Sequence, residues 1–174
     1  MRLFITDLWG ESFDRLQLTR EGDYLIKADG KYAHCIGCFA CMVKTPGQCV
    51  FQDELQYFGA VMGHSDEIHI ISKCRYGAYS PQVKAILDRS LSDSVPFYEF
   101  RNKEVHQKKR YPDHPLYLFK VYAYGRLTQR EIETLFSLVE RNRINIGAEK
   151  AELVILDEER IALPKQKQME VQRD

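Results

Sequence analysis

EIHIISKCRYGAYSPQVKAILDRS, residues 67–90, carries a strand signal followed closely by a helix signal. It opens on EIHIIS (67–72), a short apolar run rich in β-branched residues, which reads as a buried strand. Ser80-Pro81 then supplies a hydroxyl cap and a proline at the first helical position. Val83, Ile86 and Leu87 fall on one face of the helix that follows. A strand that gives way to a helix within a few residues is half of a parallel βαβ unit.

Outward from this stretch the same alternation recurs. Upstream, RLFITD (2–7) and YLIKA (24–28) read as strands, the second ended by the turn-forming Asp29-Gly30. Phe13, Leu16 and Leu18 suggest a short helix or turn between them. Asp53 with Gln56 three residues on fits a capping box, opening a helix with Leu55, Phe58, Val61 and Met62 on one face. Downstream, LYLFKVYAYG (116–125) is the strongest strand in the chain. Thr128 and Glu131 form a capping box for a helix with an apolar stripe of Ile132, Leu135, Phe136 and Val139, and ELVIL (152–156) is the last strand. Strands alternating with helices predict an α/β fold: a flavodoxin-like three-layer sandwich with a five-stranded parallel sheet. Such a sheet places its ligand outside the carboxyl ends of the strands, at the switch point. Residues 1–163 read as one flavodoxin-like domain, 92–115 as a long aromatic and basic loop or an oligomer arm, and 164–174 as a polar tail.

Bulk properties narrow the function. A chain of 174 residues with 44% hydrophobic and 29% charged residues suits one globular core, which excludes disordered and fibrous classes. Lys plus Arg and Asp plus Glu are both 25, so no net charge draws the chain to nucleic acid. The basic run 103–110 (KEVHQKKR) reads as a solvated loop. No apolar run approaches the roughly 20 residues that span a bilayer, and Asp7 and Glu11 interrupt any secretory signal. No membrane association is expected, and the protein reads as cytoplasmic.

Four of the five cysteines crowd into CIGCFACMVKTPGQC, residues 35–49. In a reducing compartment such crowding points to metal or redox chemistry rather than to disulfides. Cys35, Cys38 and Cys41 are spaced by two residues, and Cys49 returns after a Thr45-Pro46-Gly47 turn. Soft thiolates at this spacing suit a 4Fe–4S cluster better than zinc, which usually pairs two separated arms. Zinc, and free thiols lining a pocket, stay open as alternatives. His34 is not needed as a ligand beside four cysteines, and Cys74 reads as a packing residue.

Together, CIGCFACMVKTPGQCVFQDEL (35–55), the stretch at 67–90, VPFYEFRNKEVHQKKRY (95–111) and YLFKVYAYGRLTQREIE (117–133) resemble iron–sulfur flavoproteins and related members of the NADPH-dependent FMN reductase family. The resemblance covers roughly residues 35–145 and rests on the cysteine spacing joined to YGAYSP and LDRS. It implies FMN as cofactor, NAD(P)H as reductant, and a homodimer or homotetramer. It also implies that Arg75, Tyr76, Gly77, Ala78, Tyr79 and Ser80 form the loop on the isoalloxazine ring, with Tyr124, Gly125 and Arg126 on its other side. Tyrosines can stack on such a ring, and Gly77 and Ala78 permit close backbone approach.

One segment departs from the family pattern. A Gly-Ser-rich phosphate loop is expected after the first strand, but this chain reads Asp7-Leu8-Trp9-Gly10-Glu11-Ser12, and two carboxylates there repel a phosphate. The expected function is an FMN-dependent NAD(P)H oxidoreductase or electron-transfer iron–sulfur flavoprotein, serving a small-molecule acceptor such as a quinone, or a redox protein. The flavin carries such chemistry, so no catalytic side chain is singled out. The alternative is a non-enzymatic metal- or redox-sensing module on a degenerate scaffold that has lost FMN.

Overall fold

The computed structural model describes residues 1–157 and Ile161; the expected tail at 164–174 lies outside them. Strands β1 (Arg2–Thr6), β2 (Tyr24–Lys27), β3 (Glu67–Lys73), β6 (Leu118–Tyr124) and β7 (Lys150–Ile155) form one sheet in the order β2-β1-β3-β6-β7. Every pairing in it is parallel. The expected flavodoxin-like fold with a five-stranded parallel sheet is therefore borne out. Because β1 continues outward to β2 while β3 leads the other way, the switch point lies between β1 and β3.

Helices α3 (Phe58–Gly63), α4 (Pro81–Asp88) and α5 (Gln129–Ile146) supply most of one face. Leu3, Ile5, Ile68, Ile70, Phe119 and Val121 meet Phe58, Met62, Val83, Ile86, Leu135 and Val139 there in one buried cluster. The opposite face is thinner. Among the described residues it is covered by Phe13 of the short α1 (Glu11–Asp14), by Leu8, Leu16 and Leu18, and by Ile161. On that face His69 stacks on Phe4 with ring centroids 4.5 Å apart, and its Nε2 meets Glu67 at 2.8 Å. Burial pushes the His69 imidazole below its usual pKa, favouring the neutral ring that such stacking needs.

Local signals hold at two helix starts. The Ser80 hydroxyl accepts the Val83 N–H with Pro81 beside it, and the Thr128–Glu131 capping box is complete. Elsewhere the structure differs. Asp53 caps no helix: α3 begins after Tyr57, and the Asp53 carboxylate accepts the Leu55 N–H in a tight turn. Its other bonds are long-range, which propensity cannot foresee. Phe136 is 56% exposed, because the buried stripe of α5 runs through Leu135 and Val139.

The segment expected as a loop is more ordered than its composition suggests. A 3-10 turn (Arg89–Asp93) leads into an antiparallel hairpin of β4 (Ser94–Arg101) and β5 (Glu104–Lys109). Asn102 and Lys103 both take positive φ, which twists a two-residue turn to suit the flanking strands. The Arg101 guanidinium fastens the hairpin by donating to the last carbonyls of α5, at Ile144 (2.9 Å) and Asn145 (2.8 Å). Among the described residues no helix is long and apolar enough to cross a membrane.

Candidate functional site

The carboxyl ends of β1, β3 and β6 converge on a cavity of about 740 Å³. Arg75, Tyr76, Tyr79, Ser80 and Tyr124 of the expected ring-binding set line it; Gly77, Ala78, Gly125 and Arg126 do not. Asp7, Trp9, Asp29, Lys73, Gln82 and Lys84 also line it, and of these the sequence reading had singled out only Asp7, as a repulsive group. Lys73 and Lys84 carry no motif. Their only signal is position, one at the end of β3 and the other on the first turn of α4.

The loop between β3 and α4 is built as a hairpin-like turn. Arg75 and Ala78 exchange backbone hydrogen bonds of 2.9 and 3.0 Å, and both residues between them have positive φ, 54° at Tyr76 and 77° at Gly77. Glycine takes this conformation freely, whereas tyrosine takes it under strain. The turn thrusts Tyr76 out to 91% exposure at the cavity's edge. Gly77 has a different reason to be small. A Cβ there would lie 2.6 Å from the Thr134 Cβ, so the close approach is to α5, not to the cavity. Tyr79 is buried, with its hydroxyl accepting from Asn142 at 2.9 Å, and burial raises its pKa to about 12. It presents a fixed, neutral wall. The base of the loop is pinned by Ser80 N–H donating to Ser72 (2.9 Å) and Cys74 N–H donating to the Tyr124 carbonyl (2.9 Å).

The first-strand segment has no phosphate cradle. α1 runs only from Glu11 to Asp14, and its N-cap Gly10 offers no side-chain bond. Asp7 instead turns toward the sheet. Its carboxylate accepts the Lys73 N–H at 3.0 and 3.1 Å and the Tyr124 hydroxyl at 3.1 Å. Burial and the Asp7 charge push the Tyr124 phenol well above its ordinary pKa, so it stays a donor. The cavity thus carries the cations Lys73, Arg75 and Lys84 beside the anions Asp7 and Asp29. An isoalloxazine ring with a phosphate tail suits this mixture: flat aromatic walls, backbone polar groups and cations that can reach the phosphate.

The four cysteines lie beyond β2. Gly37 and Phe39 have positive φ and fold the loop back, so that Cys41 enters the short α2 (Ala40–Val43). Gly47 N–H donates to the Cys41 carbonyl at 2.8 Å and Cys49 N–H to Gln56 at 2.9 Å, which returns Cys49 toward Cys41. Cys41 is buried, Cys35 and Cys49 are half-buried, and Cys38 is exposed. Burial, then the neighbouring Cys49, Cys35 and Cys38, push the Cys41 thiol up. Four thiols within electrostatic reach fit the donor set of an iron–sulfur cluster. Among the described residues, however, no group of three or more His, Cys, Asp or Glu side chains is placed to hold a metal ion. Asp88 and Arg89, adjacent at the end of α4, take different partners: Asp88 pairs with Lys84 at 2.6 Å, while Arg89 reaches Asp53 at 2.8 Å.

No family model matches the chain. Among curated proteins, an iron–sulfur flavoprotein of Methanocaldococcus jannaschii is 32% identical over 83 residues. The match takes in 48% of this chain and spans only 42% of that relative's length. Among solved structures, an NAD(P)H:quinone oxidoreductase from Methanothermobacter marburgensis superposes with a TM-score of 0.57 at 13% identity, covering 90% of this chain and 86% of its own. An FMN-dependent NADH-azoreductase from Bacillus anthracis, solved in complex with FMN, gives 0.50 at 10% identity, covering 94% and 89%. At such identities the structures speak for the fold. The chain resembles an iron–sulfur flavoprotein in sequence, and it shares its flavodoxin-like fold with an NAD(P)H:quinone oxidoreductase and an FMN-dependent azoreductase.

Proposed function

We propose that the chain binds FMN in the cavity at the β1–β3 switch point and acts as an NAD(P)H-dependent oxidoreductase, with Cys35, Cys38, Cys41 and Cys49 holding an iron–sulfur cluster that shares its electrons. The observation that carries this reading is the cavity itself. It sits where the fold leaves room for a ligand, and it is walled by Tyr76, Tyr79 and Tyr124 with Lys73, Arg75 and Lys84 at hand. Bound FMN would accept a hydride from NAD(P)H and release the electrons to a small acceptor such as a quinone or to a redox protein.

The protein's own part is placement. Tyr76 stands free to stack on a ring face, and Tyr79 is held by Asn142 as a rigid wall. The Tyr124 hydroxyl, kept protonated, fixes Asp7 against the Lys73 amide. Arg75 is the cation best placed to meet the phosphate, because its guanidinium fork matches phosphate oxygens and the first-strand segment offers no helix end of useful length. Gly77, Ala78, Gly125 and Arg126 belong to the proposed site only as parts of the two loops adjoining Tyr76, Tyr79 and Tyr124. Exposed Phe97, Tyr98, Phe100 and Val105 on the hairpin favour a homodimer or homotetramer in which the hairpin is an arm.

The test is a titration of the apo-protein with FMN, following flavin fluorescence, and then anaerobic addition of NADPH or NADH with flavin absorbance as the readout. Quenching followed by bleaching is expected. Asp7 on the Lys73 amide and the stunted α1 favour a second reading, a metal- or redox-sensing module without flavin. Absence of quenching by the protein with its iron and sulfide restored would select that reading.

A further inference from the structure

Arg89, the cap residue at the end of α4, is the largest fully buried side chain among the described residues. Its guanidinium gathers both flanks of the cysteine segment. Nη1 donates to the Ala33 carbonyl at 2.8 Å and to Asp53 Oδ2 at 2.9 Å, while Nη2 donates to Asp53 Oδ1 at 2.8 Å. Asp53 closes the knot by accepting the Ala33 N–H at 3.1 Å. Residues 33 and 53, one just before the first cysteine and one just after the last, are thereby tied to a single side chain. The Phe51 ring lies 5.4 Å from the guanidinium carbon and covers it.

One edge of this buried cation is unused. Among the described residues Nε finds no hydrogen-bond partner, although it is shielded from solvent. Cys49, the fourth cysteine, lies within electrostatic reach of the same guanidinium. A guanidinium carries donors in a fixed fork, so once Nη1 and Nη2 are committed to Asp53 and Ala33 the direction of Nε–H is fixed as well. A buried donor without an acceptor is expensive, and a thiolate sulfur is the acceptor at hand.

We infer that Arg89 is the positioning residue of the four-cysteine site, clamping residues 33 and 53 together and directing Nε–H at the sulfur of Cys49. The inference rests on the reading that these cysteines hold an iron–sulfur cluster. A hydrogen bond and a positive charge at a ligating sulfur stabilise the reduced, more negative form of such a group. Asp53 offsets part of the charge, so the hydrogen bond to sulfur carries the larger share.

The experiment uses the full chain, reconstituted anaerobically with ferrous iron and sulfide. The cluster's midpoint potential is read by mediated reductive titration with electron paramagnetic resonance. Because Arg89→Gln alone strands the half-buried Asp53 carboxylate, the informative variant is the balanced pair Arg89→Gln with Asp53→Asn, checked for native circular dichroism. Its potential should move to more negative values, and Arg89→Lys, which keeps the charge but loses the fork, should fall between. If the folded pair assembles no cluster, the clamp is supported and Arg89→Lys alone reads the potential. Equal potentials and equal iron content in parent and both variants would overturn the inference while leaving the cluster reading intact. A parent that takes up no cluster overturns both.

Discussion

Replacing Tyr76 by glycine should move stability and flavin affinity in opposite directions. Tyr76 is 91% exposed and has φ of 54°, so in the free protein it contributes strain and almost no packing. Holding an L side chain in the left-handed region costs about 1–2 kcal/mol. The added freedom of glycine in the unfolded chain takes back about 0.5–1 kcal/mol. The net gain lies between 0 and about 1.5 kcal/mol, and for a domain of this length each kcal/mol raises Tm by about 2–4 °C. In the FMN complex the sign reverses. A tyrosine stacked on an aromatic ring contributes about 0.5–1.5 kcal/mol, so its loss should weaken FMN binding about two- to tenfold. Differential scanning fluorimetry of the apo-protein and fluorescence titration with FMN measure the two effects separately. An unchanged FMN Kd removes Tyr76 from the ring, and a Tm several degrees lower refutes the claim that the turn is strained.

Asp7→Asn keeps an acceptor for the Lys73 amide but removes the charge facing the cavity; FMN should then bind roughly fivefold tighter, from about 1 kcal/mol of relieved repulsion, while riboflavin, which has no phosphate, should change little in the same titration. Burial pushes the Asp93 carboxyl up to about 6 from 3.8, against the pull of Lys109, Arg110, His64 and Arg101. An acid whose folded pKa is raised holds its proton better in the fold, so stability falls as pH climbs through that interval, by on the order of 2–3 kcal/mol. Asp93→Asn should flatten the Tm–pH curve between pH 4 and 6 and raise Tm at neutral pH, and a curve that keeps its slope would assign it to another group. A Cβ on Gly59 would overlap the backbone of Ser92 and Asp93, where the Gly59 N–H donates to Ser92 at 3.0 Å. Gly59→Ala should therefore cost about 3 kcal/mol in urea unfolding, and a cost under about 1 kcal/mol would show that α3 can shift away from the turn.

The parts legible in the sequence are those written in short range. EIHIIS and Ser80-Pro81 are read correctly because burial on both faces of a parallel strand leaves a continuous apolar run, and because a cap is a contact between residues three apart. The hairpin at 94–109 was hidden by its exposure, since an arm with aromatic side chains facing outward has no alternation of the usual kind. Asp53 shows the opposite failure. Its spacing to Gln56 imitates a capping box, but its carboxylate is committed to Arg89, 36 residues away, and the stronger charged contact wins.

The order and type of the elements, and hence a parallel sheet, were legible along the chain, because periodicity and capping are local and the handedness of βαβ crossovers leaves few topologies. So was the crowding of Cys35, Cys38, Cys41 and Cys49, which no fold could separate far. Which side chains share a space emerged with the packing of the fold. It set Lys73 and Lys84 on the cavity, turned Gly77 toward α5 instead, folded Asp7 onto the Lys73 amide, and brought Arg89 to both flanks of the cysteine loop. The physical reason is reach. A side chain's partner across a sheet or between loops is set by the packing of whole elements, and no spacing along the chain encodes that distance.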